Sequence, residues 1–457
     1  VSRFRPVPIV AAALVACCCV VPAFATEWFV SPGGVGNGSS SFPFGRIQDA
    51  INAARPGDTV TVAPGTYAEG ITTVRAGASG APITVRASKP RAAIVTRAGR
   101  VLTVNHPYLA VDGLVLDGKY GQDDTVRVTA NGDFLLLRNV EVRRSTNDLI
   151  DMGDPQGILI EHSLLHHALN AEGGRADAHG IVAGAVRNMV IRDTEIHTFS
   201  GDGLQLDPDR AAPGWSQVTL ERMHIWLAPL QAAENGFPAG AVPGENAVDT
   251  KASATLARSV MVIRDSVASG FRGGLLNNMA AFNLKENVDV TADGVTVFDS
   301  EIAFRLRGAT TGGAWVAVKN AVVHDVTTAF RYEENIQNLR VWNVTLGRNV
   351  TRAFQAASSP RSGLDVRNLL TLGTLPAEAA GPSNRRVTTA AFVDAARHDY
   401  HMAPGSPAID TGDALTQVAT DRDGVARPQG ATHDVGAYER PAATAAVSDV
   451  APQARRR

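Results

Sequence analysis

Cysteine is almost absent from this 457-residue chain, and the three it has, Cys17, Cys18 and Cys19, stand side by side near the N-terminus. Residues 1–25 read as an export signal: Arg3 and Arg5 precede the apolar stretch 7–21, and the small-x-small site Ala23-Phe24-Ala25 precedes Thr26. Cleavage there leaves no thiol, which excludes disulfides, cysteine-ligated zinc and cysteine nucleophiles. Residues 14–17 (LVAC) also resemble a lipoprotein box that would anchor the chain at Cys17. The residues after Cys17 stay apolar where a tether is polar, so a secreted protein, extracellular or periplasmic, is expected.

Charge of one sign is lacking too, with 43 basic against 45 acidic residues. Nothing in that balance favours nucleic acid or a membrane surface, and no transmembrane segment is expected. Helical periodicity is nearly missing, and Asn-Gly or Asp-Gly hairpin turns are too few for a sandwich. A long, thiol-free, exported monomer must therefore draw its stability from an extended core.

Such a core is encoded by a repeat. The pattern apolar-x-apolar-x-Asp/Asn-x-x-apolar recurs at 109–116 (LAVDGLVL), 135–142 (LLLRNVEV), 158–165 (ILIEHSLL), 189–196 (MVIRDTEI), 218–225 (VTLERMHI) and 261–268 (MVIRDSVA). It continues at 295–302 (VTVFDSEI), 316–323 (VAVKNAVV), 339–346 (LRVWNVTL) and 364–371 (LDVRNLLT). A spacing of mostly about 21 to 31 residues is the period of a solenoid winding one β-coil per repeat. Alternate side chains turn inward, and the Asn or Asp suits a tight bend between two sheets. The expectation is an all-β, single-stranded, right-handed parallel β-helix over 26–440, with a tail at 441–457 too poor in apolar residues to fold. Ile47, Ala50, Ile51 and Ala54 form a one-sided stripe closed by Pro56-Gly57, which predicts a short helix capping the first coil.

The stretch 48–67 (QDAINAARPGDTVTVAPGTY) resembles the opening segment of bacterial proteins of the pectate-lyase-like β-helix superfamily, and 400–414 with 420–439 resemble their terminal segment. That resemblance spans nearly the whole mature chain and implies a fold, not an activity.

A second strand follows the first by about twelve to fifteen residues in the repeat. Its triplets, 126–128, 150–152, 181–183, 204–206, 248–250, 304–306, 330–332 and 354–356, point their middle residue outward. Rungs about 4.8 Å apart align those residues into a column. The column and its flanks carry Arg127, Asp151, Val182, Gln205 with Asp207, Asp249 with Lys251, Arg305 with Arg307, and Arg331 with Glu333. Carboxylates gather in the middle coils, and Arg305, Arg307 and Arg331 to one side suit the sugar acids of an acidic polysaccharide. Each pair also reads as an ordinary surface ion pair. Two loops, 207–215 and 227–245, are longer than turns require and are expected to wall a cleft.

Residues 245–251 (ENAVDTK), followed one coil later by 271–274 (FRGG), resemble the calcium-dependent alginate lyase and chondroitinase B type of polysaccharide lyase. Residues 201–207 (GDGLQLD) are similar to the Asp-Asp-Gly-Leu-Asp-Leu calcium motif of lysine-base pectate lyases, with Gly201 and Gln205 where that motif has carboxylates. The resemblance implies Lys251 as base, Arg272 as neighbouring cation, and Asp202, Gln205, Glu245 and Asp249 at calcium or carboxylate-neutralising positions. Asp177 and Asp207 complete an oxygen-rich set of the kind Ca²⁺ takes, though turn-capping carboxylates look the same. Such an enzyme removes the proton α to a uronate carboxylate, a step that needs the carboxylate neutralised and the lysine unprotonated.

Three alternatives stand beside the lyase. A β-helix glycoside hydrolase is disfavoured by the absence of the Asn-Thr-Asp, Gly-His-Gly and Arg-Ile-Lys set. A uronate epimerase shares the first chemical step, and Asp177-Ala178-His179 resembles the Asp-Pro-His of alginate epimerases. A non-catalytic glycan-binding or structural β-helix explains the balanced charge as well. His162, His166 and His167 read as turn residues, and Trp215, Trp226 and Phe237 as core, loop anchors or sugar platforms.

Overall fold

The computed structural model describes residues 25–172, 177–274, 276–308, 313–333, 336–357 and 363–441. Nearly all of the expected export signal, 1–25, and the expected tail from 442 lie outside them. The chain winds into a parallel β-helix of about 11 turns. Each coil adds one strand to each of three sheets, of 13, 13 and 11 strands. One coil runs through Leu136–Arg138 in the first sheet, Glu141–Ser145 in the second and Ile150–Met152 in the third. Every pairing in these sheets is parallel, so adjacent coils lie in register and like residues stack.

The bend between first and second sheets explains the Asn and Asp of the repeat. Asn139, Asp193, Asp265, Asn320, Asn343 and Asn368 all sit there with φ between 48° and 55°. Short amide and carboxyl side chains tolerate this left-handed geometry best after glycine, and they hydrogen-bond along the stack. Asn320 Nδ2 donates to Asp293 at 2.8 Å, and Asn368 Nδ2 to Asn343 at 3.2 Å. His162 and Arg222 occupy the same position in their coils, so His162 is a bend residue as expected.

One repeat was out of register. The bend in 295–302 is Asp299 (φ 48°), which lies between second- and third-sheet strands Thr296–Phe298 and Ser300–Arg307. The equivalent bend of that coil is Gly294, φ 69°, one strand earlier. The third-sheet series also omitted a rung, Ala280–Lys285, between Val248–Thr250 and Ser300–Arg307. His166 and His167 lie on strand Leu164–Ala168 and are half-buried rather than in a turn.

Inward residues form one continuous core. Phe282, Phe304, Phe330 and Phe354 stack on successive third-sheet rungs with centroids 5.1–5.3 Å apart. The helix Ile47–Ala53 buries Ile47, Ala50 and Ile51 over the first coil, covering an edge that would otherwise template pairing. At the other end Tyr400, Ala408, Val435 and Ala437 pack over Val322 and Leu370 as a terminal cap.

Candidate functional site

The middle residues of the third-sheet triplets form the predicted column, through Arg127, Asp151, Val182, Gln205 and Asp249 in direct register. Beyond Asp249 the register passes through Asn283, in the overlooked rung, before reaching Arg305 and Arg331. Gln205, Asp249 and Asn283 point outward and yet are buried, at 8%, 3% and 5% exposure.

The two long loops lie beside this stretch. In the 227–245 loop, Leu230 and Phe237 are buried with Leu169, and Glu234 accepts a hydrogen bond from Tyr120 at 2.5 Å. In the 207–215 loop, Trp215 is core, at 1% exposure, and its indole N–H donates 2.7 Å to the Lys251 carbonyl. Trp226 stacks at 4.4 Å on His197 of the adjacent second-sheet rung. Trp215 and Phe237 thus act as anchors.

Between the loops stands a polar cluster. Asp249 Oδ1 is 2.8 Å from Lys285 Nζ and accepts 2.9 Å from Asn283, while its Oδ2 is 3.2 Å from Lys251 Nζ. Asp202, 1% exposed, accepts from Asn246 at 2.7 Å and from Gln205 at 2.9 Å. His179 lies 3.8 Å from Asp202, and its Nδ1 is 2.9 Å from Asp148 on the preceding coil. Glu245 opens the same stretch of chain, and the fields of Asp202, Asp177 and Asp249 all reach it.

The electrostatics follow from burying like charges together. Burial, then repulsion from Asp202 and Asp177, pushes the Glu245 carboxyl up to about 8, with His179 opposing. Burial and Asp202 also raise Asp249, although Lys285 and Lys251 pull the other way. Burial disfavours the His179 imidazolium, but the Asp148 hydrogen bond and the charges of Asp148, Asp202 and Asp177 outweigh it and raise its pKa.

Lys251, Asp249, Asp202, Gln205, Glu245 and Asp177 are thus brought together. Asp207 is not part of the cluster: it sits past the far end of its strand, its Oδ1 accepts from the Ala211 N–H at 2.9 Å, and its buried Oδ2 has no partner. Arg272 is spent elsewhere, 3.1 Å from Asp299 and donating to the carbonyls of Ser300 and Asp325. Arg305, Arg307 and Arg331 converge on Glu333 at 3.0, 3.1 and 2.8 Å. Burial alone would raise Glu333, yet Arg305, Arg331 and Arg307 hold it below the usual carboxylate range.

Lys285, Asn283, Asn246 and His179 were not among the expected site residues. The signal for the first two was the alternation Phe282-Asn283-Leu284-Lys285, which matches Phe304-Arg305-Leu306-Arg307 one rung on. The signal for His179 was the Asp-Ala-His triplet.

Calcium does not fit this donor set. Both Asp249 oxygens face cations or an amide N–H, and both Asp202 oxygens accept from amides. A Ca²⁺ site needs several oxygens converging on one point. Among the described residues, ligand-type atoms converge instead at Asp124, Asp148 and Asp151, all carboxylates, and at His324, Asp325 and His398, two imidazoles and a carboxylate.

The sequence matches no family model and no curated protein. Similar solved structures include pectate lyase Pel9A, at 15% identity and TM-score 0.49 over 92% of this chain and 97% of that one. A rhamnogalacturonan lyase shares 13% identity at TM-score 0.49, over 81% and 91% of the two chains. The A-module of the mannuronan C-5 epimerase AlgE6 from Azotobacter vinelandii shares 14% at TM-score 0.45, over 75% and 98%. Such identities and scores assign no reaction. No helix among the described residues is long and apolar enough to cross a membrane.

Proposed function

We propose that this protein is an exported lyase that cleaves a uronate-containing polysaccharide by β-elimination, without calcium. The observation that carries the reading is the pair Lys251 and Lys285, on successive rungs around one buried carboxylate, Asp249, whose field also reaches Glu245, a carboxyl pushed up to about 8. The lysines neutralise the sugar carboxylate, as an anion-stabilising site must before a proton beside it can leave. Glu245, ionised in part of the population near neutral pH, removes that proton from C5. The C5–H electron pair becomes the C4=C5 double bond as the C4–O bond breaks, and the leaving oxygen takes a proton from Lys251. Lys251 therefore works as a cation and acid rather than as the base, because its nearest partner is the Asp249 carboxylate. Arg305, Arg307 and Arg331 extend the cationic stretch along the polysaccharide.

A second reading, glycan binding without catalysis, is favoured by one feature: Arg305, Arg307 and Arg331 gather around the single carboxylate of Glu333, away from the lysine pair, and leave cationic charge over for an acidic glycan. Incubation of the protein with pectate, alginate and chondroitin, followed by ultraviolet absorbance, separates the two. Unsaturated ends that vanish in Lys251→Ala support the lyase. New reducing ends without absorbance indicate a hydrolase, changed uronate stereochemistry an epimerase, and binding without product the second reading. Each of these three results rejects the lyase.

A further inference from the structure

Along the third sheet the charge changes sign at Asp249. Toward the later coils lie Lys251, Lys285, Arg305, Arg307 and Arg331, which outnumber the carboxylates Asp249, Glu301 and Glu333 set among them. Glu286 and Asp299 in the same coils are each matched by an arginine, Arg210 and Arg272. Toward the earlier coils carboxylates prevail. Two residues before the strands Val126–Val128, Ile150–Met152, Ile181–Ala183 and Leu204–Leu206 stand Asp124, Asp148, His179 and Asp202, a file along one corner of four successive coils. Asp151 and Asp177 add two more carboxylates, and the described cations that face the group are Arg100, Arg127 and His179. The same reversal is felt by two carboxyls: burial, then Asp202 and Asp177, pushes Glu245 up, whereas Arg305, Arg331 and Arg307 overcome burial and hold Glu333 low.

A glycan lying on this face meets both fields. The loop 227–245 joins second-sheet strand His224–Trp226 to third-sheet strand Val248–Thr250, and the loop 207–215 leads from third-sheet strand Leu204–Leu206 to first-sheet strand Ser216–Glu221. The loops thus flank the third sheet on its two sides, and an extended chain runs along the rungs, about 4.8 Å apart, rather than across them. On the acidic side the column offers nothing that holds a carboxylate. Val182 has no polar side-chain atom, and the Gln205 amide nitrogen is taken up 2.9 Å from Asp202 and 3.1 Å from His179. A sugar carboxylate laid there would face Asp202, Asp177 and Asp148 without a donor, and like charges brought together in an interface oppose binding. Hydroxyl and N-acetyl groups meet no such repulsion, and a hydroxyl can donate to a carboxylate.

Building on the reading of this face as the polysaccharide site, we propose that the uronate held by Lys251 and Lys285 is joined, on the side of Gln205 and Val182, to an uncharged sugar. The substrate is then a mixed acidic polysaccharide, and an unbroken polyuronate is disfavoured by the carboxylates of the earlier coils. Specificity arises from the repulsive half of the face as much as from the attractive half.

The test measures binding by calorimetry at pH 7 in Glu245→Gln, which keeps the neutral form of that carboxyl and prevents turnover. Unsulfated chondroitin oligosaccharides, whose uronates alternate with N-acetylhexosamine, should bind about tenfold or more tighter than oligogalacturonate or oligomannuronate of equal length. Attraction to the lysines and arginines alone would give the opposite order, because the homopolymers carry twice the charge. Val182→Lys in the same background places a cation on the acidic side and should narrow the preference by about threefold or more. Equal or tighter binding of either homopolymer, no binding of chondroitin, or a preference unchanged in Val182→Lys overturns the proposal. Preferential binding with no unsaturated product from the wild type rejects the lyase and leaves this specificity standing. Unsaturated product together with equal binding of the homopolymers does the reverse.

Discussion

Lys285 Nζ stands 2.8 Å from Asp249 Oδ1, one coil beyond Lys251, whose Nζ is 3.2 Å from the second oxygen of the same carboxylate. Two ammonium groups thereby share one buried anion. Parallel registry makes this possible, because it sets equivalent positions of neighbouring coils about 4.8 Å apart.

Lys285 is accordingly expected to matter as much as Lys251. Lys285→Ala and Lys251→Ala should each lower kcat/KM on the accepted polysaccharide by about 10²-fold or more, the scale of removing a charge-stabilising group. The double variant should lose little beyond either single one. Steady-state rates from ultraviolet absorbance decide this, and a Lys285→Ala enzyme with unchanged rate removes the pair from the mechanism.

Glu245 sets the pH dependence. As a base it must be ionised, so the rate should climb with pH through about 8. Glu245→Asp should keep a rising limb, whereas Glu245→Gln should lose both the limb and most of the activity. A profile that is flat from pH 6 to about 9 in the wild type contradicts the assignment.

The same group affects stability with a definite sign. Its folded pKa, about 8, lies above the ordinary 4.5, so between those values the folded chain holds the extra proton. Stability from this carboxyl is complete below pH 4.5 and is lost as pH rises through about 8. Glu245→Gln should therefore unfold at higher denaturant than wild type at pH 9, by about 1 kcal/mol or more, with the gap narrowing toward pH 4.5. Chemical denaturation at the two pH values measures it, and a constant gap removes the linkage.

Chelation should leave the polysaccharide-cleaving rate unchanged, because amides and lysines already occupy the oxygens of Asp202 and Asp249. A rate abolished by chelator and restored by Ca²⁺ alone would falsify the metal-free reading.

The terminal cap rests on Arg427 and Glu439, a pair 2.7 Å apart with both side chains at 0% exposure. Arg427→Met leaves Glu439 buried and uncompensated, and should cost about 3–5 kcal/mol in denaturant unfolding. Replacing both with apolar residues should restore much of the loss.

The architecture was legible from the repeat because it is written locally. Each inward residue and each Asn or Asp bend answers to its own coil, so the apolar alternation and the left-handed bend positions appear as a period along the chain. The helix Ile47–Ala53 was legible for the same reason. The slip at 295–302 arose because Asp299 makes a left-handed bend of the same kind at a different corner.

The composition of the site was only partly legible. Lys251, Asp249 and Glu245 lie in one short segment, and motif resemblance singled them out. Lys285 required knowledge that the rung Ala280–Lys285 stands between Val248–Thr250 and Ser300–Arg307. Motif resemblance also set Arg272 beside Lys251, whereas the chain sends it to the carbonyls of Ser300 and Asp325.

By itself, then, the sequence determined that this chain coils, which faces turn inward and which face carries charge, since those properties depend on neighbours a few residues away. The tertiary structure alone decided which charges meet. Lys285 reaches Asp249 across 36 positions, Asp202 exhausts its oxygens on amides, and His398 arrives beside His324 from the terminal cap. Those encounters depend on coil register and loop packing, and no local pattern records them.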